Sequence, residues 1–256
     1  MSNSLRLTAA SAPIGVFTAL AWESAAIRAQ LRHVKREGRG VWCARAGQRT
    51  IKVFTCGVGL SRAREILTEV AATPFAAIIS AGCAGALSPH LTTGQLVLAS
   101  AVYMWSKTGK RRLVCFPTDS RLLPQVRLAA VQTAIPVAEG GLFTSETALC
   151  SPAEKIRHGK TTAAIAVDME SGIYAAFAQA RGLPFLALRV ILDPIELTLP
   201  TVMDLTTPAG NVRPLRAAAY IATHLHCLPV LLSLQRARTV VAQTLSRLCA
   251  TLFPLL

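Results

Sequence analysis

Acidic side chains are scarce in this sequence. Its 256 residues include 13 Asp and Glu against 27 Lys and Arg, so the formal net charge is +14 and the isoelectric point is near 10.3. That charge allows nucleic acid or an anionic membrane surface as a partner. However, the basic residues are dispersed, and the one dense run, Lys107 to Arg112, has no interleaved aromatic residues. We expect a solvated loop in a hairpin turn there, and no nucleic-acid partner.

Metal-binding and disulfide motifs are missing. The seven cysteines form no CxxC pair and no Cys/His cluster with the spacing of metal ligands. This pattern argues for reduced thiols in a cytoplasmic protein and against a zinc site. We therefore expect neither a metal nor a cofactor.

The sequence also lacks a clear targeting or membrane-spanning segment. The N-terminus has no continuous apolar stretch of the kind found in signal peptides. The most apolar window, Leu215 to Leu234, is interrupted by Arg216, His224, His226 and Pro229. We expect a soluble body.

Apolar residues make up 52% of the chain, enough to bury a full core in one large domain. Buried strands alternate with amphipathic helices as far as Asp193, which predicts the α/β class. The expected architecture is a single three-layer domain, residues 13–213, with a central, mostly parallel or mixed twisted sheet flanked by helices.

An apolar helical extension is expected over residues 214–256. Its two segments, Leu215 to Cys227 and Val230 to Leu252, are separated by Pro229. In the second segment an apolar face recurs at helical spacing, formed by Val241, Leu245, Leu248 and Leu252. We expect this face to pack on the domain, on a partner subunit or on a membrane surface.

Several local patterns give further predictions. After a first strand at Pro13 to Ala19, the spacing of Ala26, Ile27, Leu31 and Val34 predicts one helix. Ser61 is expected to cap the next helix, and Ser151 to cap a helix whose third residue is Glu154.

A glycine-containing turn, Ala81 to Ala86, is expected after a buried strand at Ala76 to Ser80. Because glycine has no Cβ, such a turn lets the backbone approach a ligand closely. It matches neither the dinucleotide-binding nor the Walker pattern.

Three of the 13 acids lie in one strand–helix–strand unit, Ala163 to Asp193. Its first strand ends at Asp168 and Glu170, and its second at Asp193. Open α/β sheets bind ligands at the carboxyl ends of their strands, and consecutive parallel strands would place these acids side by side. An ordinary crossover with solvated acids is the alternative, but the scarcity of acids favours a site. Carboxylates there would suit a substrate with hydroxyl groups, or one that develops positive charge.

These pieces, taken in order, resemble the nucleoside phosphorylase/nucleosidase superfamily, and most closely its 5'-methylthioadenosine/S-adenosylhomocysteine nucleosidase branch. The matching segments are Ala19 to Glu23, Gly82-Cys83-Ala84-Gly85, Gly141-Leu142-Phe143 leading to Ser145, Val167-Asp168-Met169-Glu170, and Arg189 to Asp193. They extend from about Ile14 to Asp193, whereas the region from Pro194 departs from the family.

The resemblance implies a role for each acid. Glu23 matches the acid that activates the attacking water, and Glu170 the acid that holds the ribose hydroxyls, with Met169 packing on the sugar. Asp193 matches the acid that protonates the purine at N7, and an Asp at this position implies a 6-aminopurine such as adenine. The other implied contacts are Leu149, Cys150 and Val167 at the base, and Cys83, Gly85 and Arg189 around the water or anion pocket.

Four residues depart from the nucleosidase pattern. Leu149 replaces an aromatic residue that stacks on the base, Cys83 and Leu192 replace serines, and Asp168 replaces a glutamate. The three acids remain, but the changes put the usual small thioether substrates in question.

Water is the expected nucleophile. Phosphorylases of this superfamily cradle phosphate with a glycine in the first strand–helix loop, whereas Thr18 to Trp22 contains none and Glu23 would repel a dianion. Arg28 and Arg189 keep a phosphorylase open as an alternative. A non-catalytic nucleoside-binding or nucleic-acid-binding protein is the alternative from another class.

The apolar, basic C-terminal extension is similar to that of the hopanoid-associated members of the superfamily. This similarity implies a lipid-linked adenosine, adenosylhopane, as substrate, and peripheral contact with the inner membrane surface. The superfamily also implies a homo-oligomer, with a dimer as the default.

Overall fold

The computed structural model describes residues 12–106, 112–200 and 228–256. The strands in these ranges are β1 (Ile14–Thr18), β2 (Arg32–Gly38), β3 (Val41–Ala46), β4 (Arg49–Thr55), β5 (Ala77–Ala86), β6 (Leu96–Trp105), β7 (Leu113–Pro117), β8 (Val137–Thr144), β9 (Ala164–Asp168) and β10 (Phe185–Asp193). The helices are α1 (Ala21–Arg28), α2 (Leu60–Glu69), α3 (Leu123–Gln132), α4 (Pro152–Thr162), α5 (Ser171–Ala180) and α6 (Leu228–Leu252), and a short 3-10 turn, Phe253–Leu255, follows α6.

Helices cover both faces of one central sheet. On one face α2 and α5 pack through residues such as Ile66 and Tyr174. On the other, α1, α3 and α6 pack through Ile27, Val126 and Val241. The arrangement confirms the predicted three-layer α/β architecture.

The sheet is mixed, and part of it closes on itself. Strands β5, β10, β6, β8 and β9 are hydrogen-bonded in turn, and β9 returns to β5. From β5 the sheet continues through β1, β4, β3 and β2, while β7 pairs with β6. Strand β5 therefore has three neighbours, and any site at its carboxyl end is surrounded by several strand ends.

The expectation that the two acid-bearing strands are parallel neighbours is wrong. Strand β5 lies between them, parallel to β10 and antiparallel to β9. The acids still converge, because Gly85 near the end of β5 is opposite both Val167 on β9 and Asp193 on β10. Shared pairing with one strand, rather than the crossover itself, brings these strand ends together.

The first helix is shorter than predicted. It ends at Arg28, and Leu31 and Val34 do not belong to it, since Arg32–Gly38 is the edge strand β2. This strand pairs with β3 across a tight turn in which Gly40 has a positive φ of 73°. Long-range pairing overrides the helical spacing of the apolar residues, and the charged side chains of β2 suit an exposed sheet edge.

Two other local predictions fail for related reasons. The segment Ala81 to Ala86 is not a turn, because β5 continues through it to Ala86. Ser61 does not cap α2. Gly59 is the N-cap, with a φ of 96° that favours glycine, and its carbonyl oxygen accepts a hydrogen bond from the Ala63 amide.

The predicted cap of α4 is confirmed. The Ser151 hydroxyl accepts a hydrogen bond from the Glu154 amide at 3.3 Å, and the Glu154 carboxylate accepts one from the Ser151 amide at 3.0 Å. This reciprocal pair fixes where α4 begins and hence the direction of the side chains in its first turn.

Helix α6 packs on the domain. The predicted apolar face is completely buried against β10, α1 and α3, and consists of Val241, Leu245, Leu248 and Leu252. Pro229 lies in the first turn of this helix, a position that tolerates proline. No helix in the described ranges is long and apolar enough to cross a membrane.

Some expectations fall outside the described residues. They are the helical segment Leu215 to Cys227, the boundary at 213/214 and most of the basic run that begins at Lys107. The strands on either side of that run, β6 and β7, are an antiparallel pair, as a hairpin requires.

The packing of α6 gives a first prediction. Leu245→Ala should lower the free energy of unfolding by about 2–5 kcal/mol, because it removes a fully buried side chain and leaves a cavity. Urea denaturation followed by circular dichroism measures the change. Leu232→Ala, on the exposed side of the same helix, should cost less than about 0.5 kcal/mol. Equal effects of the two changes would contradict the observed packing.

Candidate active site

An open cleft with a cavity volume of about 150 Å³ lies where β1, β5, β9 and β10 end. The residues that line it are Ala19, Leu20, Glu23, Val58, Cys83, Ala84, Gly85, Thr147, Ala148, Leu149, Val167, Asp168, Met169, Glu170, Arg189, Asp193 and Leu199. The structure thus brings together nearly all the residues expected at the site. Cys150 is not among the lining residues, and its carbonyl oxygen instead accepts a hydrogen bond from the Leu199 amide.

Glu23 is held by backbone amides. It lies in the first turn of α1 and is 1% exposed. One carboxylate oxygen accepts hydrogen bonds from the amides of Ala19 and Leu20 at 3.1 and 2.9 Å, and the other accepts one from Cys83 at 2.8 Å. These bonds fix the carboxylate between β1 and β5. The Oε1 atom, which accepts a single bond, keeps lone-pair capacity for a further donor.

Two glycines of β5 make room for charged side chains. A Cβ on Gly82 would lie 2.6 Å from the Arg189 Nη1 atom and 2.7 Å from the Glu23 Oε1 atom. A Cβ on Gly85 would lie 2.9 Å from the Asp193 Oδ2 atom. A larger residue at either position would displace these charged groups. These two glycines therefore allow charged side chains to lie against the strand, and they form no phosphate-binding turn.

Arg189 and Asp168 form a buried ion pair. The Arg189 Nη2 and Nε atoms donate to the Asp168 Oδ2 atom at 2.6 and 3.0 Å. Nη2 also donates to the hydroxyl oxygens of Ser80 and Ser171. Burial opposes the charge of Arg189, but Asp168, Glu170 and Glu23 together raise its pKa above the ordinary value. The guanidinium group therefore remains charged at the floor of the cleft.

Glu170 has a different environment. It is the N-cap residue of α5, and its Oε1 atom accepts a hydrogen bond from the Gly59 amide at 2.6 Å. Burial and the nearby Asp168 carboxylate raise the pKa of Glu170 to about 8, although Arg189 and the Gly59 amide act in the opposite direction. Glu170 is therefore mainly protonated at neutral pH.

Asp193 is paired with a buried lysine. The Nζ atom of Lys155 on α4 lies 2.7 Å from the Asp193 Oδ2 atom, and the lysine side chain is completely buried. Burial raises the pKa of Asp193 to about 6, and Lys155 limits that rise. The carboxyl group can consequently hold a proton under mildly acidic conditions and release it near neutrality.

Sequence reasoning missed several partners of these acids. The sequence does not indicate that Lys155 contacts an acid, because a lysine in the first turn of an amphipathic helix is usually solvated. The hydroxyl of Thr144, at the end of β8, donates to the Asp168 Oδ1 atom at 2.7 Å. Of the two serines beside Arg189, Ser80 lies within β5 and Ser171 begins α5. Strand pairing and packing between distant parts of the chain, rather than any local pattern, bring these residues to the acids.

The arrangement is suited to proton transfer. Carboxyl groups in distinct environments surround one cleft, and titratable pairs whose pKa values are pushed apart are typical of acid–base sites. Within the described residues, no group of three His, Cys, Asp or Glu side chains is placed to hold a metal ion.

The family model described as the phosphorylase superfamily matches residues 13–209. No curated protein matches the chain.

Solved structures show the same fold at low identity. The 5'-methylthioadenosine/S-adenosylhomocysteine nucleosidase of Helicobacter pylori superimposes with a TM-score of 0.73 at 16% identity, covering 96% of this chain and 99% of that one. The corresponding enzyme of Neisseria meningitidis, in complex with methylthio-immucillin-A, gives 0.72 at 17%, covering 95% and 99%. Futalosine hydrolase of Helicobacter pylori gives 0.71 at 18%, covering 96% and 98%.

The environment of Glu170 gives a second prediction. Its pKa rises from 4.5 to about 8 on folding, so between these values the folded protein holds a proton that the unfolded chain has lost. The resulting stabilisation is complete below about pH 4.5 and is lost as the pH rises through 8. Glu170→Gln removes this dependence. Its free energy of unfolding should therefore increase relative to wild type between pH 5 and pH 8, as urea titrations at several pH values would show.

The matched control for this prediction is Glu69→Gln, which removes one carboxylate from the exposed side of α2. The difference between its free energy of unfolding and that of wild type should stay the same over this pH range. If the free energy of unfolding of Glu170→Gln changed with pH in parallel with that of wild type, folding would not raise the pKa of the buried carboxyl group.

Proposed function

Since the chain belongs to the phosphorylase superfamily, we propose that it is a purine nucleosidase that hydrolyses the N-glycosidic bond of a 5'-substituted adenosine and releases adenine. The observation that carries the proposal is the convergence of Glu23, Glu170 and Asp193 on one cleft. Each acid has a separate partner, as the three separate tasks of this reaction require.

Asp193 is the proton donor to the base. Cleavage leaves a purine that takes up the bonding electrons, and protonation at N7 makes it a better leaving group. The raised pKa of Asp193, about 6, lets the carboxyl group carry this proton into the reaction. The Asp193 O–H bond breaks as the N–H bond forms, and the residue is left as a carboxylate beside Lys155.

Glu23 is the general base for water. Its carboxylate is oriented by three amide donors and lies near the Arg189 guanidinium across Gly82. A water molecule between these two groups would give one proton to Glu23 while its oxygen attacks the anomeric carbon. Arg189 keeps such a water in place by hydrogen bonding and limits the build-up of negative charge around it.

Glu170 binds the ribose hydroxyls, with Met169 beside the sugar. Glu170 holds a proton at neutral pH, but two hydroxyl donors favour the ionised carboxylate, so this proton passes to water as the ribose binds. The oxocarbenium-like transition state is positively charged, so ionised Glu170 stabilises it more than it stabilises the neutral ground state. Water rather than phosphate is the nucleophile, because the loop from Thr18 to Trp22 has no glycine to cradle a phosphate and Glu23, which lines the cleft, would repel a dianion.

An adenosyl lipid, adenosylhopane, is the proposed substrate. Apolar side chains line much of the cleft, including Leu20, Val58, Leu149, Val167 and Leu199. Helix α6 also exposes Leu228, Leu232 and Val240 beside Arg236 and Arg238. A surface with both apolar and cationic groups suits peripheral contact with an anionic membrane, from which a lipid-linked nucleoside would be taken.

The proton-donor role can be separated from the water-activating role with two substrates. Asp193→Asn should lower kcat for adenine release by about 10²- to 10⁴-fold, the usual contribution of a general acid. It should retain much of the activity toward 4-nitrophenyl ribofuranoside, whose phenolate leaves without being protonated. Glu23→Gln should slow both reactions, since both need activated water.

Liquid chromatography of the released base and sugar measures these activities. Release of the free sugar, with its 5' substituent, without added phosphate supports the nucleosidase, whereas the 1-phosphate of that sugar formed only with phosphate would establish a phosphorylase. Wild-type activity of Asp193→Asn toward the adenosine substrate would refute the assigned mechanism.

Substrate choice gives a further prediction. In vesicles with anionic lipid, kcat/KM for an adenosyl lipid should exceed that for methylthioadenosine by about tenfold or more, because the lipid adds apolar contacts in the transition state. Adenosine serves as the reference without a 5' substituent. A preference for methylthioadenosine in the same vesicles would contradict the lipid-linked substrate and leave the nucleosidase reaction in place.

A further inference from the structure

Lys155 is the most thoroughly buried cation next to the candidate site. Its Nζ atom contacts three oxygen atoms: the Asp193 Oδ2 atom at 2.7 Å and the carbonyl oxygens of Pro194 and Leu197 at 2.8 and 2.9 Å. An ammonium group has three hydrogen-bond donors, and here each has an acceptor. This complete set of partners fixes the position of the group.

Burying a lysine is unfavourable unless its partners compensate, and apolar residues often stabilise a fold as well as a buried ion pair does. Stability alone is thus a poor reason for a lysine at this place. Its carboxylate partner is the acid that faces the base in the proposed reaction, which gives the ion pair a chemical use.

We propose that Lys155 is a positioning residue for the acid Asp193: it directs the carboxyl group toward the cleft and stabilises the carboxylate that remains after the proton has passed to the base. This inference rests on the proposed nucleosidase function. Asp193 regains its proton from water after the base has left.

Lys155 also organises the chain after β10. Its two carbonyl partners belong to the segment that leads to Leu199, a residue that lines the cleft. The amide of Leu199 is in turn bound to the Cys150 carbonyl oxygen at 2.8 Å, just before α4. One ammonium group therefore ties the first turn of α4 to the acid and to the wall of the cleft beside it.

Among the described residues, two thiols also interact with Asp193, those of Cys83 on β5 and Cys150 ahead of α4, and burial raises the pKa of both above the ordinary thiol value. The other charged groups that line the cleft are Glu23, Asp168, Glu170 and Arg189. Lys155 is the charged group whose Nζ atom contacts the Asp193 carboxyl group directly, so its removal should change the titration of Asp193.

The decisive variant is Lys155→Met, with Lys160→Met on the exposed side of the same helix as the matched control. Loss of the cation raises the pKa of Asp193, so the alkaline limb of the kcat profile should move to higher pH. The maximal kcat should fall by about tenfold to a hundredfold, because the proton donor is no longer oriented.

Lys155→Arg should keep the alkaline limb of the kcat profile near its wild-type position. Lys160→Met should match wild type in both the position of this limb and the maximal kcat. A lowered rate with an unmoved limb would indicate a merely structural lysine and overturn the proposal.

A measurement that needs no turnover separates this inference from the proposed function. The carboxyl carbon resonance of Asp193, assigned with Asp193→Asn, should titrate near pH 6 in wild type and at higher pH in Lys155→Met. A shifted midpoint in a protein that releases no adenine would refute the nucleosidase and retain the ion pair. Adenine release with identical midpoints in both proteins would refute the role of Lys155.

If Lys155→Met does not fold, wild-type protein still provides the test. The Nζ nitrogen resonance of Lys155 should shift with the midpoint of the Asp193 carboxyl carbon, since the two groups share a hydrogen bond. A Lys155 resonance that does not respond to this titration would overturn the proposal.

Discussion

The site depends on one constraint, the close approach of several side chains to the carboxyl-terminal half of β5. Strand β5 pairs with three other strands, so their ends surround it. Gly82 and Gly85 leave the space that the charged groups of Glu23, Arg189 and Asp193 occupy. Any Cβ at either glycine would lie within 3 Å of a charged atom. The closed part of the sheet thus sets the positions of the acids, and the glycines allow them to converge.

Convergence alone would be unfavourable, because like charges in a buried site repel one another. The structure resolves this by giving each carboxyl group different partners. Asp168 has a guanidinium group, Asp193 an ammonium group, Glu23 three backbone amides and Glu170 a single amide. Similar side chains consequently acquire different affinities for protons, and one cleft can contain both a proton donor and a proton acceptor.

Much of this could be predicted from the sequence, and the failures have a common cause. Apolar runs identified the buried strands, and the Ser151 cap and the acids at strand ends were visible locally. The neighbours of β9 and the strand at Val34 were not, because strand pairing is decided by residues far away in the chain. The contact between Lys155 and Asp193 could not be predicted for the same reason. The local sequence around Lys155 is typical of a surface lysine, and only the fold brings Asp193 to it. Local sequence shows which groups could react, whereas long-range packing decides which partners tune them.

The protonation of Glu170 shows why such tuning matters. An ionised Glu170 would add a charge next to Asp168, and burial makes that charge costly, so the group holds a proton. In the proposed reaction, a sugar that supplies hydroxyl donors, and then positive charge, would reverse this balance, and the Glu170 proton would pass to water. The attraction would be weak before the bond breaks and strong while it breaks, which is the order that lowers a barrier. A carboxylate that was already ionised and solvated would bind ground state and transition state more equally, and so would accelerate the reaction less.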